Sequence, residues 1–302
     1  MRVVRVARAL HANLTMTSTE IGQAVRDARA EVSRAVHKAS PFVEKFARLG
    51  YASKGVIYAM VGALAAMSAM GRGGETTGTR GAMSHILRQP LGVVLLFIVA
   101  LGLACYAMWQ FVRAVEDPEN EGSDGKAIAR RVGFFGSGVI HAMLVVYAAH
   151  LLLGTGGARG GDDVKAQSWS ATLMGYPLGR VALALIGAGI AAYGLYQLYR
   201  SYVAKLDKQL ALERLGATAR RVVIWVSRLG QAARGVVFGT IGVFLILAAW
   251  HYNPSEARGI GGALAALRDQ PFGPWLLCAV ALGLVAYGVY QFVKARYRRI
   301  ET

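Results

Sequence analysis

Three tyrosines, three glutamines and three cations recur in this chain at one spacing: Tyr106, Gln110 and Arg113; Tyr193, Gln197 and Arg200; Tyr287, Gln291 and Lys294. A glycine precedes each tyrosine by four residues, at Gly102, Gly189 and Gly283. At about 100° per residue the four positions fall within about 80° of one another, so each set forms one stripe along a helix. The chemistry open to such a stripe is recognition. A phenol and an amide both donate and accept hydrogen bonds, and a guanidinium or ammonium group attracts an anion. The same residues also suit packing. Glycine lets backbones approach, glutamine bonds across helices for about 0.6–2 kcal/mol, and tyrosine and terminal cations anchor at lipid headgroups. Two readings stay open: a packed seam with anchored ends, or a lining for an anionic solute.

Three more residues could do chemistry. Lys54 and Arg234 occupy matching positions near the inner ends of apolar segments, where they would add positive potential at a cytoplasmic mouth. His141 lies about 12 Å of helical rise into another segment, and an ionisable group at that depth is a functional candidate. It aligns with Tyr58 and Phe238, so aromatic-like packing with one hydrogen bond competes with that role. His150 and His251 fall near outer segment ends, where they meet water.

Support for an enzyme is nearly absent. No apolar segment carries an Asp or Glu to act as base or metal ligand, and no P-loop, metalloprotease pair or nucleophile elbow occurs. The acids Glu116, Asp117, Glu119, Glu121 and Asp124 sit beside a proline and glycines and read as a solvated linker. The glycine-rich "GRGGETTGTRG" follows an apolar segment on the outer side, an improbable nucleotide cradle. No cofactor, metal site or catalytic residue is expected.

The elements that position these residues are hydrophobic. The chain has 302 residues, 55% hydrophobic and 17% charged, with a mean hydropathy of +0.39; a soluble domain carries about a quarter charged residues. Six apolar runs, at about 51–70, 91–111, 133–153, 178–199, 231–251 and 273–293, are each long enough to cross a hydrocarbon layer of about 30 Å. The fold class is therefore an all-α integral membrane protein with six transmembrane helices. Cys105 and Cys278 lie inside such runs, which excludes a disulfide framework or a zinc site and makes them small packing residues.

The net charge of +17 suggests nucleic acid until its placement is read. The two tails and alternate loops hold 24 Lys and Arg, and the other three loops hold 7. Cationic residues collect on the cytoplasmic side, so both termini are expected there, in a bacterial cytoplasmic (inner) membrane, with the lipid bilayer as partner and no nucleic acid. Residues 1–45 form a basic cytoplasmic tail, and Met16 is a candidate start. Within it "TSTEIGQAVRDARAEVSRAVHKA" spaces Ile21, Ala24, Val25, Ala28, Val32, Ala35 and Val36 as an amphipathic helix, with Thr17 and Glu20 fitting a capping box. Its basic face could lie on anionic lipid; a solvated tail is the competing reading.

The runs pair into a repeat. Aligned on Pro90, Pro177 and Pro271, the even segments share glycine two residues on (Gly92, Gly179, Gly273), followed by the stripe. The odd segments open on "RLGYASKGVIY", "RVGFFGSGVIH" and "RLGQAARGVVF", each an Arg with Gly at two and at seven: Gly50 and Gly55, Gly133 and Gly138, Gly230 and Gly235. The repeats span 46–115, 129–202 and 226–297, three tandem helical hairpins that suggest a pseudo-three-fold arrangement. Each proline is expected in the first turn of its helix. Upstream, Ile86, Leu173 and Leu267 lie on short interfacial helices at the outer face.

The pattern "ARLGYASKGVIY … QPLG … LGLACYAMWQ" resembles the bacterial membrane family catalogued as domain of unknown function 1206, over about residues 45–297. Repeat two departs most, with Ser137 in place of Lys54 and Arg234, and His141 in place of an aromatic. The resemblance implies a six-span bundle of three hairpins and no mechanism. The plan is also similar to that of mitochondrial solute carriers, but Gly92, Gly179 and Gly273 stand where those have their hallmark acid. The leading expectation is a structural or interaction protein of the membrane. The alternative is a pore or carrier for a small, anionic solute along the pseudo-three-fold axis.

Overall fold

The computed structural model describes residues 40–116, 125–155, 161–203 and 210–298. Six long helices carry the apolar runs: α1 (Ser40–Ala69), α3 (Gly92–Glu116), α4 (Gly125–Leu152), α6 (Gly179–Val203), α7 (Ala217–Trp250) and α9 (Gly273–Tyr297). Each is long and apolar enough to cross a membrane. Three short helices, α2 (Thr79–Leu87), α5 (Asp162–Met174) and α8 (Ile260–Arg268), precede the even members. Among the described residues there is no strand, only an isolated bridge between Leu210 and Arg298. Helices α1, α4 and α7 begin well before the apolar runs, because helix propensity carries through N-terminal segments that include cations such as Lys45, Arg48, Arg130, Arg131, Arg220 and Arg221, while hydropathy does not. The amphipathic segment at 17–39 and the acids from Asp117 to Asp124 lie outside the described residues.

Each proline stands outside its helix, at a corner. Gly92 donates its N–H to Gln89, Gly179 to Tyr176 and Gly273 to Gln270, closing one turn three times. The proline holds the second position and Leu91, Leu178 or Phe272 the third, with φ of 60–61°. Proline suits the second position of a type II turn, whose third residue needs positive φ. That geometry, rather than the helix first turn, explains Pro-x-Gly. The glycine then passes against the end of the preceding short helix; a Cβ on Gly92 would strike the Leu87 carbonyl, on Gly179 the Leu173 carbonyl, and on Gly273 the Arg268 carbonyl.

The long helices pack in the order α4, α3, α1, α9, α7, α6. Three of these seams join the second helix of one repeat to the first helix of the next: α3 with α4, α6 with α7, and α9 with α1. The glycine at position seven makes each of them: Gly55 approaches the Gly288 carbonyl and Phe292, Gly138 the Phe111 ring, and Gly235 the Gly194 carbonyl and Leu198. Two further seams lie within hairpins, α1 with α3 and α7 with α9. The sixth is missing. Helices α4 and α6 of repeat two form no packed seam, so among the described residues the three hairpins make an arc, open on one side, and the pseudo-three-fold arrangement suggested by the sequence is not closed.

The end carrying α2, α5 and α8 is filled. Ile57, Val61, Met83, Ile86, Leu96, Leu103, Leu264 and Leu277 form one buried apolar core there. Helix α5 ties the other two short helices together: Asp163 Oδ1 accepts the N–H groups of Gly259 and Gly262 at 2.6 and 2.9 Å, capping α8. Asp162 accepts from the Arg80 N–H in α2 and lies 3.7 Å from its guanidinium.

Candidate functional site

The stripe tyrosines of all three repeats come together midway along the arc. Tyr106 is about 21 Å of rise from the start of α3 and about 15 Å from its end. Lys54 on α1, 4% exposed, donates to the Tyr106 hydroxyl at 3.0 Å and lies 4.2 Å from that ring's centre. Arg234 on α7 donates from Nη1 to the Tyr193 hydroxyl at 3.0 Å and from Nε to the Tyr58 hydroxyl at 3.3 Å. Its guanidinium carbon also lies 4.7 Å from the Phe238 ring and 5.1 Å from the Tyr287 ring. Tyr58 and Tyr287 meet edge to face at 4.7 Å, and His141 tilts against Tyr106 at 4.6 Å. Two cations thus share one aromatic nest with four phenols.

The local sequence explains the convergence. On α1, Lys54 and Tyr58 are four residues apart, and on α7 so are Arg234 and Phe238, so each pair shares a face. The glycine at position two sets the depth of the partner helix: Gly50 lies against the Tyr106 backbone and Gly230 against that of Tyr287. On α4 the corresponding pair is Ser137 and His141, whose Nδ1 donates to the Ser137 carbonyl at 2.7 Å. A carbonyl only accepts, so Nδ1 carries the proton and Nε2 is left able to accept.

Electrostatically the nest is one-sided. Tyr58, one helical turn from Lys54 on α1, accepts from Arg234 and so links the two cations, and among the described residues neither meets a carboxylate. Ring faces and phenol oxygens solvate the two charges in part. A like-charge pair without a counter-ion, taken out of water, lacks the compensation that buried charges ordinarily have. Tyr193, 40% exposed, and Arg234, half-buried, keep the nest in contact with the outside.

The remaining stripe residues divide by role. Gly102 faces Ser53 on α1 and Gly283 faces Ala233 on α7, both in packed hairpin seams, while Gly189 meets nothing within 4 Å. Gln110, Gln197 and Gln291 are buried at 3%, 5% and 1% exposure; Gln110 accepts from Arg113 at 3.2 Å, and the Gln291 carbonyl oxygen has no partner among the described residues. The stripe cations lie nearer the helix ends on aromatic rings: Arg113 over Phe134 at 3.6 Å, Arg200 by Tyr196, and Lys294 by Tyr290 at 4.6 Å. Lys54 and Arg234 lie near the middle of α1 and α7 because both helices continue past the apolar runs; along the helix, Lys54 is 14 residues from Ser40 and Arg234 is 17 from Ala217.

Sequence reasoning passed over Tyr58 as a partner, although its alignment with His141 was the available signal. It also gave no task to the repeated arginine of Arg-x-Gly. Arg48 donates to the carbonyls of Ala295 and Arg296 at the end of α9, and Arg131 to those of Ala114 and Val115 at the end of α3. Each clamps the second helix of another repeat, Arg48 that of repeat three and Arg131 that of repeat one, satisfying terminal carbonyls with a charge that suits them.

Among the described residues no group of three or more His, Cys, Asp or Glu could hold a metal ion. Cys105 is buried and Cys278 half-buried, both free.

Comparison with known proteins agrees with the repeat. The profile of Domain of Unknown Function (DUF1206) matches residues 49–117, 132–204 and 229–298. "Uncharacterized protein YxxB" of Bacillus subtilis (strain 168) is 32% identical over 269 residues, which cover 89% of this chain and 96% of that protein. No solved structure matches. On the three-fold match and the near full-length relative, this chain belongs to the DUF1206 family.

Proposed function

We propose that the protein takes up an anionic group at the Lys54–Arg234 nest and serves as a carrier for an anionic substrate in the bacterial cytoplasmic membrane. One observation carries this reading: two cations at mid-helix depth, contributed by repeats one and three, bonded to phenols and facing no carboxylate among the described residues. An anion placed between them would supply the missing charge, and the phenol hydroxyls would add donors to its oxygens. The filled apolar end speaks for a carrier, which opens to one side at a time, over a standing pore. The charge asymmetry of the loops supports cytoplasmic termini. No residue in the nest points to bond-making chemistry, so we read the protein as a non-enzyme.

A purely structural role is the second reading, and the burial of all three stripe glutamines favours it. The two separate in one experiment: equilibrium binding of inorganic phosphate to protein in nanodiscs of neutral lipid. The carrier reading expects saturable, salt-sensitive binding that falls at least tenfold in Lys54→Gln/Arg234→Gln, with the variant still monodisperse. Undetectable binding, or binding indifferent to the two substitutions, leaves the structural role.

A further inference from the structure

The missing seam lies beside the nest, and it is missing from a hairpin that keeps the residues for making it. In repeat one Gly50 abuts Tyr106 and Gly102 abuts Ser53; in repeat three Gly230 abuts Tyr287 and Gly283 abuts Ala233. The equivalents in repeat two are Gly133 with Tyr193, and Gly189 with Gly136. Among the described residues none of these three glycines meets an atom within 4 Å where a Cβ would stand. Helices α4 and α6 are accordingly the least buried of the six, and apolar side chains such as Val139, Ile140, Leu185 and Ile186 stand exposed along them. The arc still curls: Tyr193 on α6 shares Arg234 with Tyr58 on α1, and His141 on α4 packs on Tyr106, which accepts from Lys54 on α1.

We infer that the opening between α4 and α6 is a lateral portal through which an anionic lipid places its headgroup on Lys54 and Arg234 while its acyl chains remain between the two helices. The inference rests on the anion reading above and names the substrate class. A dissolved anion has no need of an apolar slot open to the bilayer. An amphiphile needs both parts: a slot lined by aliphatic side chains and small residues, and a cationic, phenol-rich floor at its depth. Charge complementarity selects the occupant, because the floor holds two cations and no carboxylate among the described residues. The lip on α6 carries a group that would steer the headgroup in: the Tyr193 hydroxyl accepts from Arg234 and keeps its own proton to donate. The retained glycines give the portal a closed state, in which α4 and α6 meet in the register of the other two hairpins.

The test uses the full chain in nanodiscs with two probes, phosphatidylglycerol against phosphatidylcholine, counted by native mass spectrometry, and inorganic phosphate, by equilibrium binding. Gly189→Phe fills the slot without touching a cation, and Gly133→Phe does so from the other lip should the first variant fold poorly. The expected result is at least tenfold retention of phosphatidylglycerol over phosphatidylcholine. Retention is lost in the slot-filling variant while phosphate binding stays, and both are lost in Lys54→Gln/Arg234→Gln. Phosphate binding without lipid selectivity, or lipid retention indifferent to the filled slot, overturns the portal and leaves the anion reading standing. Loss of neither ligand when the cations are removed overturns both. A dimer that Gly189→Phe dissociates would assign the gap to a second copy of the chain and also overturn the portal.

Discussion

Gly230 lies so close to Tyr287 that a methyl group on it would stand 2.5 Å from the tyrosine Cα, and Gly50 lies against Tyr106 at 2.8 Å in the same way. Gly133, the third member of the set, has no neighbour within 4 Å among the described residues. With the Gly102–Ser53 and Gly283–Ala233 approaches, the glycine–tyrosine contact separates the two closed hairpins from the open one, and it involves the tyrosines that surround Arg234 and Lys54. Closing repeat two in the register of the others would bring the Tyr193 backbone against Gly133 on α4, beside the side chain that now accepts from Arg234.

The seams predict opposite outcomes for one kind of substitution. A Cβ on Gly62 would meet the Ala281 carbonyl at 2.6 Å and the Val285 nitrogen at 2.7 Å, both backbone atoms that cannot rotate away. Gly62→Ala should therefore force α1 from α9 at a cost of about 1–3 kcal/mol. Gly189→Ala meets nothing and should gain up to about 1 kcal/mol from helix propensity. Apparent Tm in detergent reads both; equal losses at the two sites would mean that α4 and α6 are packed in solution.

Gln291 is 1% exposed and its carbonyl oxygen is unpaired among the described residues. A buried acceptor without a donor costs about 1–3 kcal/mol. Gln291→Met, of similar volume, should hold or raise Tm, whereas Gln110→Met, which takes the acceptor from Arg113, should lower it. A loss at Gln291 as large as at Gln110 would show that the carbonyl is bonded in solution.

Much of this was legible from residue types. Six spans, three hairpins and the convergence of Gly, Tyr and Gln on one face follow from periodicity alone, since the hydrophobic runs and the 100° turn leave little choice. Two features were not legible. Nothing in the stripe of repeat two differs from its counterparts, so the open α4–α6 side could not be foreseen: Gly133, Gly189 and Tyr193 are the residues of a closed seam. The pairing of Lys54 with Arg234 depends on which helices neighbour each other, and the order α4, α3, α1, α9, α7, α6 brings repeats one and three together through α9. The corner prolines were misread because a type II turn and a helix first turn both favour proline, and Leu91, Leu178 and Phe272 are not residues that announce positive φ.

The short-helix cover should respond to pH. Burial pushes the Asp162 carboxyl above its ordinary value, against the Arg80 N–H and guanidinium that favour its charged form. A raised value in the folded state means that the folded chain holds the proton more tightly. The associated stability is full below the unfolded value near about pH 4 and is lost as pH rises through the folded value. Asp162→Asn should thus match the wild type at pH 4 and exceed it in Tm at pH 7. A variant less stable at neutral pH would show that the ion pair with Arg80 outweighs burial.

The most direct test of the account is the thermal response of the nest to anions. Two like charges without a counter-ion should lower the stability of the empty protein, and an anion bound between them should restore it in proportion to its occupancy. In neutral nanodiscs, Lys54→Gln/Arg234→Gln should melt at or above the wild-type temperature. Added inorganic phosphate should raise the Tm of the wild type and leave the variant unmoved. A variant that melts lower, together with equal phosphate shifts in both proteins, would contradict the account and make the two cations structural.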